Sequence, residues 1–166
     1  MSKAGPVRRV VAPLMATAAA VLLLTPLGDG PLKALLPVGD VAAVDFATLK
    51  LTGKPNQYLL CPAGFCGDEP HGTSPVFDLS VADLRARWDA VIAAQPRLVM
   101  LSETGDQIDY VQRTAMVRFP DIITVRFMAL SPSQSTLAVY SRSVYGSSDF
   151  GVNRERIEAW MAALSE

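Results

Sequence analysis

The sequence has one histidine and two cysteines among its 166 residues, and these small numbers exclude several kinds of functional site. Without a second histidine, the chain cannot build a site that needs two imidazoles. It also has no glycine-rich phosphate-binding loop and no clustered pair of carboxylates, so no recognisable set of catalytic residues is present. Internal repeats and low-complexity tracts are absent as well. These residues therefore predict no enzymatic activity with any specificity, and we expect no cofactor.

Charged residues are scarce, at 19% of the chain, and the formal net charge is −1. Residues 1–30 carry Lys3, Arg8, Arg9 and only Asp29, whereas the remainder holds 12 basic and 15 acidic residues. A mildly acidic body lacks the basic stripe of a nucleic-acid-binding protein, so we expect no nucleic acid partner. The apolar half of the composition and the length are those of one globular domain with a proper core.

One apolar run, residues 10–27, contains no charged residue and follows three basic residues near the N-terminus. At about 18 residues it approaches the length that spans a bilayer. A cleaved signal peptide would need small residues in an A-x-A pattern after the run, but Thr25-Pro26-Leu27-Gly28 follows instead. We therefore favour an uncleaved signal-anchor over a cleaved signal, with a buried core helix as the third alternative. The preceding basic residues predict a single span in a bacterial inner membrane, with the body in the periplasm.

The chain is predicted to have three parts: a signal-anchor or signal peptide at 1–27, an extended connector at 28–57 and a folded body at 58–166. Seven glycines and prolines punctuate residues 28–55 and favour a loop-rich tether. Within the connector, residues 41–51 could form a short helix or strand. Phe46 and Leu49 are its expected apolar contacts with the body.

The body contains periodic segments that predict five strands and two helices. Helix 81–94 has apolar residues on one face, Ser80 as N-cap in a capping-box pattern with Asp83, and Pro96 as its stop. A second helix is predicted over 151–164, with an apolar stripe from Ile157 to Leu164. Predicted strands cover 75–79, 97–102, 108–116, 122–130 and 136–143.

Short turns separate the last four predicted strands, which favours an antiparallel meander. Apolar and polar residues alternate along the last two of these strands, so one sheet face is apolar and requires a cover. We expect the two helices to supply it. The predicted fold is an α+β two-layer sandwich, with an antiparallel meander of about four to five strands and the order β-α-β-β-β-β-α.

Cys61 and Cys66 lie in a short loop segment, and a periplasmic body would expose them to an oxidising compartment. A disulfide is the leading interpretation. Cys61, Cys66 and His71 could instead ligate a metal, but their spacing is not that of a standard zinc site, and we favour no metal. A thiol–histidine pair is a third alternative, and His71 is otherwise expected to be an exposed loop residue.

The segment that joins the last strand to the last helix is dense in polar residues. Ser148 and Asp149 are good N-cap residues, and Asn153 falls on the apolar stripe of the helix, where its amide must find partners in the preceding turn. Arg142 is expected to pair with Asp149, which would make this segment a structural corner. Alternatively, Arg142, Arg154 and the helix N-terminus could form an anion or polar-ligand site.

Residues 141–158, with the sequence SRSVYGSSDFGVNRERIE, resemble the C-terminal signature of the family called domain of unknown function 1499 (DUF 1499). Cys61-Pro62, Asp109-Tyr110-Val111 and Phe119-Pro120-Asp121 are similar to further parts of that family, and the resemblance covers most of residues 55–164. It implies bacterial or plastid proteins, often with an N-terminal membrane segment, and no established activity. Many members place Asn before the second cysteine, where this chain has Phe65.

Three functional hypotheses follow. The first is a non-enzymatic accessory subunit or scaffold of a larger membrane or envelope complex, tethered through residues 10–27. The second is a module that binds a lipid or small amphiphile in a pocket between sheet and helices. The third, which we rank last, is a thiol-dependent enzyme or a hydrolase that uses Cys61, Cys66 or Ser148.

Overall fold

The computed structural model describes residues 36–165. Its strands and helices all lie in one compact unit, Val38–Thr114 together with Phe119–Glu166. In chain order they are β1 (Gln57–Cys61), β2 (Gly72–Thr73), α1 (Val81–Ala93), β3 (Leu98–Thr104), β4 (Gln107–Arg113), β5 (Pro120–Ser131), β6 (Gln134–Ser143) and α2 (Val152–Leu164).

A six-stranded mixed sheet forms the centre of the unit, with the strand order β2-β1-β6-β5-β4-β3. The predicted antiparallel meander is confirmed for β3 to β6, whose neighbours in sequence are also neighbours in the sheet. The sheet is larger than the predicted four to five antiparallel strands. It continues from β6 to β1 in an antiparallel pair and from β1 to β2 in a parallel one.

One strand prediction is wrong, and a second extends too far. Residues 75–79 form no strand, although Phe77 makes an isolated antiparallel bridge with Ser135. Pro75 has no backbone N–H to donate to a ladder, which limits pairing there. The strand predicted over 108–116 ends at Arg113.

The two helices cover one face of the sheet, as predicted. Ser80 caps α1 by accepting a hydrogen bond from the backbone N–H of Asp83 at 3.2 Å. Trp88 of α1 packs edge-on against Trp160 of α2 and Phe127 of β5, with ring centroids 5.6 and 5.9 Å apart. Truncating such a fully buried tryptophan to alanine typically costs about 3–5 kcal/mol, so these contacts anchor the helices to the sheet.

The opposite sheet face is covered by the connector and the cysteine loop, a layer that the sequence did not predict. Phe46 of the connector is fully buried against Leu59, Ala138 and Tyr140, and Leu49 packs beside it. The predicted contacts of Phe46 and Leu49 are therefore present. Residues 46–48 form a turn, whereas residues 41–51 form no helix or strand.

The cysteine loop binds the connector closely at Gly67. A Cβ atom at this position would lie 2.4 Å from the backbone oxygen of Ala47, so only glycine fits without a shift. The N–H of Gly67 donates to the carbonyl of Phe46 at 2.8 Å, and the carbonyl of Gly67 accepts from the ammonium of Lys50 at 2.6 Å. The connector is thus fixed to the body at least from Phe46 to Lys50.

No helix within residues 36–165 is long and apolar enough to cross a membrane. The predicted span at 10–27 lies outside the described residues.

Candidate functional site

Asp149 organises the corner between β6 and α2. Its carboxylate accepts hydrogen bonds from the backbone N–H groups of Gly151 and Asn153 at 3.0 and 2.8 Å, so it satisfies donors at the start of α2. The N-cap by backbone conformation is Gly151, with a φ of 88°. The predicted capping by Asp149 is therefore present, although Asp149 itself lies two residues before the N-cap. Ser148 accepts a hydrogen bond from the N–H of Phe150 at 3.3 Å.

Asn153 is fully buried at the end of the apolar stripe of α2, as its spacing predicted. Its side-chain nitrogen lies 3.1 Å from the backbone carbonyl of Asn56 and 2.7 Å from the Asp149 carboxylate. Its side-chain oxygen accepts hydrogen bonds from the Ser141 hydroxyl and the Arg156 guanidinium, both at 2.6 Å. The expected partner was the backbone of the preceding turn. The actual partners are the side chain of Asp149 in that turn and groups of β6, α2 and the residue before β1.

A buried ion pair lies beside Asn153 and was not predicted. The Arg156 guanidinium and the Asp121 carboxylate are 2.5 Å apart, with side chains only 7% and 3% exposed. Arg156 also donates to Gln112 and Ser141, at 2.6 and 2.9 Å. Asp121 accepts a further hydrogen bond from Ser143 at 2.7 Å. Because these groups neutralise and saturate one another, this network stabilises the corner and offers no reactive group.

Arg154 does not join this network or the Arg142 side chain. Its guanidinium lies 5.3 Å from the ring centre of Tyr58 in β1, and His71 stacks on the same ring at 5.5 Å. Burial, followed by the nearby Glu158, raises the pKa of Tyr58, and Arg154 opposes this effect. The single polar-ligand site predicted from Arg142, Arg154 and the helix N-terminus is therefore not assembled.

His71 is exposed, as expected, but it has a defined structural contact. Its Nδ1 accepts a hydrogen bond from the backbone N–H of Leu59 at 3.0 Å, and its own backbone N–H donates to the Leu59 carbonyl at 2.9 Å. Desolvation, with a smaller contribution from Arg154, lowers the pKa of His71. The neutral imidazole is the form that accepts this hydrogen bond.

Arg142 lies on the sheet face opposite the helices. Ser141 and Ser143 bond toward α2, and alternation along the strand directs Arg142 to the other side. Its guanidinium lies 4.8 Å from the ring centre of Tyr140 and donates to the Thr124 hydroxyl at 3.2 Å. Among the described residues it makes no salt bridge with Asp149, so the expected pair is not formed.

Thr124 links Arg142 to a buried carboxylate. Its hydroxyl donates to Asp109 at 2.6 Å, and the second carboxylate oxygen of Asp109 accepts from Ser102 at 2.9 Å. Burial lowers the pKa of Arg142, and Tyr140 and Asp109 partly restore it. A cavity of about 230 Å³ opens beside Arg142. Arg142 therefore combines a cationic group with an adjoining cavity.

Cys61 and Cys66 form the expected disulfide, with their Cα atoms 6.2 Å apart. Both thiols are consumed, so neither is free to ligate a metal or attack a substrate in this state. Phe65, which precedes Cys66, packs on Phe46, with ring centroids 6.5 Å apart. The loop therefore serves to hold the connector against the sheet.

Phe150 projects from the corner into solvent. Its side chain is 93% exposed, and its backbone has a φ of 56°, in the left-handed region that non-glycine residues rarely adopt. Val144, Tyr145 and Val152 are also exposed apolar residues of this segment. We refer to Val144, Tyr145, Phe150 and Val152 as the aromatic corner. The resemblance included Phe150, but a sequence alone does not distinguish an exposed phenylalanine from a core one.

The model of a protein family described as "Protein of unknown function (DUF1499)" matches residues 52–164. The match spans well over half of the chain, so the protein belongs to this family. It includes every strand and helix of the unit as well as the aromatic corner, Arg142 and the buried network. A search of the curated proteins found no match.

Proposed function

We propose that this DUF1499 protein is a non-enzymatic accessory domain that docks on a larger membrane protein through the aromatic corner. In this proposal residues 10–27 anchor the chain in the inner membrane and the body acts in the periplasm. The membrane anchor and the periplasmic location are inferred from the sequence. The observation that carries the docking proposal is the conformation and exposure of Phe150.

The conformation of Phe150 is unfavourable for an isolated chain. A non-glycine residue in the left-handed region costs about 1–2 kcal/mol. The phenyl ring recovers little of this cost within the chain, because Phe150 is 93% exposed. Burying a phenylalanine ring against a partner contributes about 1.5–3 kcal/mol. A binding partner therefore supplies the stabilisation that the free domain lacks.

The corner is held rigidly enough to present this ring. Asp149, the residue before Phe150, makes hydrogen bonds to both Gly151 and Asn153. Asn153 is in turn fixed by the buried network around Arg156. A side chain held in its bound conformation loses less entropy on association, and aromatic residues are enriched at protein interfaces.

Charge favours a protein partner over the lipid surface. Residues 144–152 contain a single charged residue, the acidic Asp149. Segments that bind anionic membrane surfaces normally combine apolar residues with lysine and arginine. We therefore assign a partner with an apolar pocket as the occupant of the aromatic corner.

The alternative functions receive less support. The space between the sheet and the helices is filled by Trp88, Trp160 and Phe127, which disfavours a lipid enclosed there. The disulfide removes the free thiol that a thiol-dependent enzyme requires. The hydroxyl of Ser148 accepts a hydrogen bond from the backbone N–H of Phe150, and the one histidine bonds Leu59 of β1, so within residues 36–165 no histidine is paired with Ser148 as a general base.

Affinity purification from native membranes in mild detergent tests the proposal. The wild-type chain should bring down a defined membrane protein, and Phe150→Ser should lose most of it. Leu130→Ser is the matched control, because Leu130 is 54% exposed at the far end of the β5–β6 hairpin. The ten residues of β6 separate the two positions by roughly 30 Å at about 3.4 Å per residue.

Three outcomes would contradict the docking proposal. The first is recovery of the wild type only as a free monomer, and the second is recovery with lipid alone. The third is loss of the partner on substitution of a different exposed surface. Val99→Lys on the edge strand β3 tests that surface, since Val99 is 57% exposed there.

A further inference from the structure

The cavity beside Arg142 adjoins the aromatic corner at Val144 but differs from it in chemistry, because a guanidinium lines it. Ile122 of β5 and Arg142 of β6 line it from the sheet, and Asp40 and Val41 line it from the connector. We propose that this cavity binds a small monocarboxylate, whose anionic group is held by the guanidinium of Arg142.

The guanidinium of Arg142 retains donors for a ligand. An arginine side chain has five N–H donors, and one of them, on Nη1, bonds to Thr124. In the described part of the chain, every fully buried side-chain nitrogen or oxygen has a hydrogen-bond partner. The other guanidinium nitrogens of Arg142 make no such bond there, so they are not fully buried. Arg142 also lines the cavity, where these donors can meet a ligand. Their fork geometry matches a carboxylate.

Charge balance at Arg142 also favours an anion. Within residues 36–165, Arg142 forms no direct salt bridge, and the carboxylate of Asp109 is linked to it through the hydroxyl of Thr124. Asp109 is itself occupied by Thr124 and Ser102. A partly buried cation without a contacting counter-ion is electrostatically unfavourable, so an anion bound in the cavity would be stabilised.

The walls and size of the cavity define the class of ligand. Ile122, Val41 and Val144 supply apolar surface beside the guanidinium. A volume of about 230 Å³ is below the range of about 300–1,000 Å³ of drug-sized pockets, which favours a small ligand. Asp40 adds a negative charge to the wall, which disfavours a dianion more strongly than a monoanion. A monocarboxylate with a short apolar chain satisfies all three features.

Calorimetric titration of the full chain in non-ionic detergent, at constant ionic strength, tests this inference. Butyrate is the probe, with inorganic phosphate and butanamide as comparators. We expect saturable butyrate binding, at least tenfold weaker binding of phosphate, and no detectable binding of butanamide. Absence of saturable butyrate binding, or equal affinity for butanamide, would overturn the inference.

Variants of the cavity then locate the binding site. Arg142→Gln should weaken butyrate binding at least tenfold. Val41 lies in a segment without helix or strand, so Val41→Phe should fill the cavity without altering Arg142. This variant tests the binding site even if Arg142→Gln fails to fold. Arg154→Gln, a change at an exposed arginine of α2 that does not line the cavity, should leave the affinity unchanged. Unaltered butyrate binding in Val41→Phe would refute the site. Phe150→Ser should bind butyrate with the wild-type affinity. The binding test and the docking test can therefore fail independently of each other.

Discussion

Replacing Arg156 by methionine should destabilise the protein more than any surface substitution. The change removes the ion pair with Asp121 and the hydrogen bonds to Gln112, Ser141 and Asn153. It leaves the Asp121 carboxylate buried without its counter-ion. Removing one partner of a buried pair costs about 3–5 kcal/mol. That loss is a large share of the total stability of about 5–15 kcal/mol of an ordinary domain.

The magnitude can be separated into its parts by a double-mutant cycle. If the unpaired charge causes most of the loss, then Asp121→Ala combined with Arg156→Met should cost clearly less than the sum of the single changes. Asp106→Ala is the control, because the Arg126–Asp106 pair is exposed and such pairs contribute about 0–1 kcal/mol.

Urea unfolding of the full chain in non-ionic detergent provides the assay. The two tryptophans, Trp88 and Trp160, are both buried between helices and sheet, so their fluorescence reports global unfolding. Arg156→Met should lower the unfolding midpoint with an unchanged dependence on urea. A loss below about 1 kcal/mol, or a double variant whose loss equals the sum, would refute the reasoning about the buried network.

Two further predictions concern the contacts of Gly67 with the connector and of His71 with β1. Gly67→Ala should destabilise the protein by about 1–3 kcal/mol, because its Cβ would meet the Ala47 carbonyl. Limited proteolysis should then cut the connector faster than in the wild type. Unchanged stability and an unchanged cleavage rate would count against the close approach. His71 has a lowered pKa in the folded state, so its stabilising bond from Leu59 is fully present above pH 6.5 and is lost as the pH falls through the folded pKa. Between pH 7 and 5 the free energy of unfolding should therefore fall further in the wild type than in His71→Asn, by up to about 1 kcal/mol. Identical pH profiles of the two proteins would contradict this role.

Local sequence signals predicted the helices and the meander well. Ser80 and Pro96 mark the ends of α1, and Leu84 and Trp88 give it one apolar face, so capping and periodicity agree with the packing found. These signals act within one element and need no knowledge of its neighbours. Such local signals are most reliable where the secondary structure favoured by the local sequence is also the one that allows the core to pack.

The sequence did not predict β1 because its pattern is not amphipathic. All five residues of β1 are buried, since the sheet is covered on both faces at this strand. A short strand without alternation, next to Gly and Pro residues, reads as a loop. Because β1 was not predicted, the layer that covers it was not predicted either. Phe46 was recognised as a contact with the body, but the sheet face that it covers was not.

The candidate site residues were recognised from the density of polar residues in one segment of the sequence. Which of them lie together in space became clear only from the structure. Arg142 and Ser143 are adjacent in sequence and point to opposite sheet faces, because side chains alternate along a strand. Arg142 therefore faces the cavity, whereas Ser143 joins the network of Asn153. Arg156 lay within the recognised signature, yet nothing in its sequence context distinguished it from the exposed Arg154.

The most direct test of the docking proposal is photo-crosslinking from position 150 in native membranes. A photoreactive phenylalanine analogue placed at Phe150 should yield one discrete crosslinked protein band, and the same analogue at Leu130, which is 54% exposed, should yield none. Crosslinks from position 150 to lipid alone, to no molecule, or to the same proteins as position 130 would contradict a docking function of the aromatic corner.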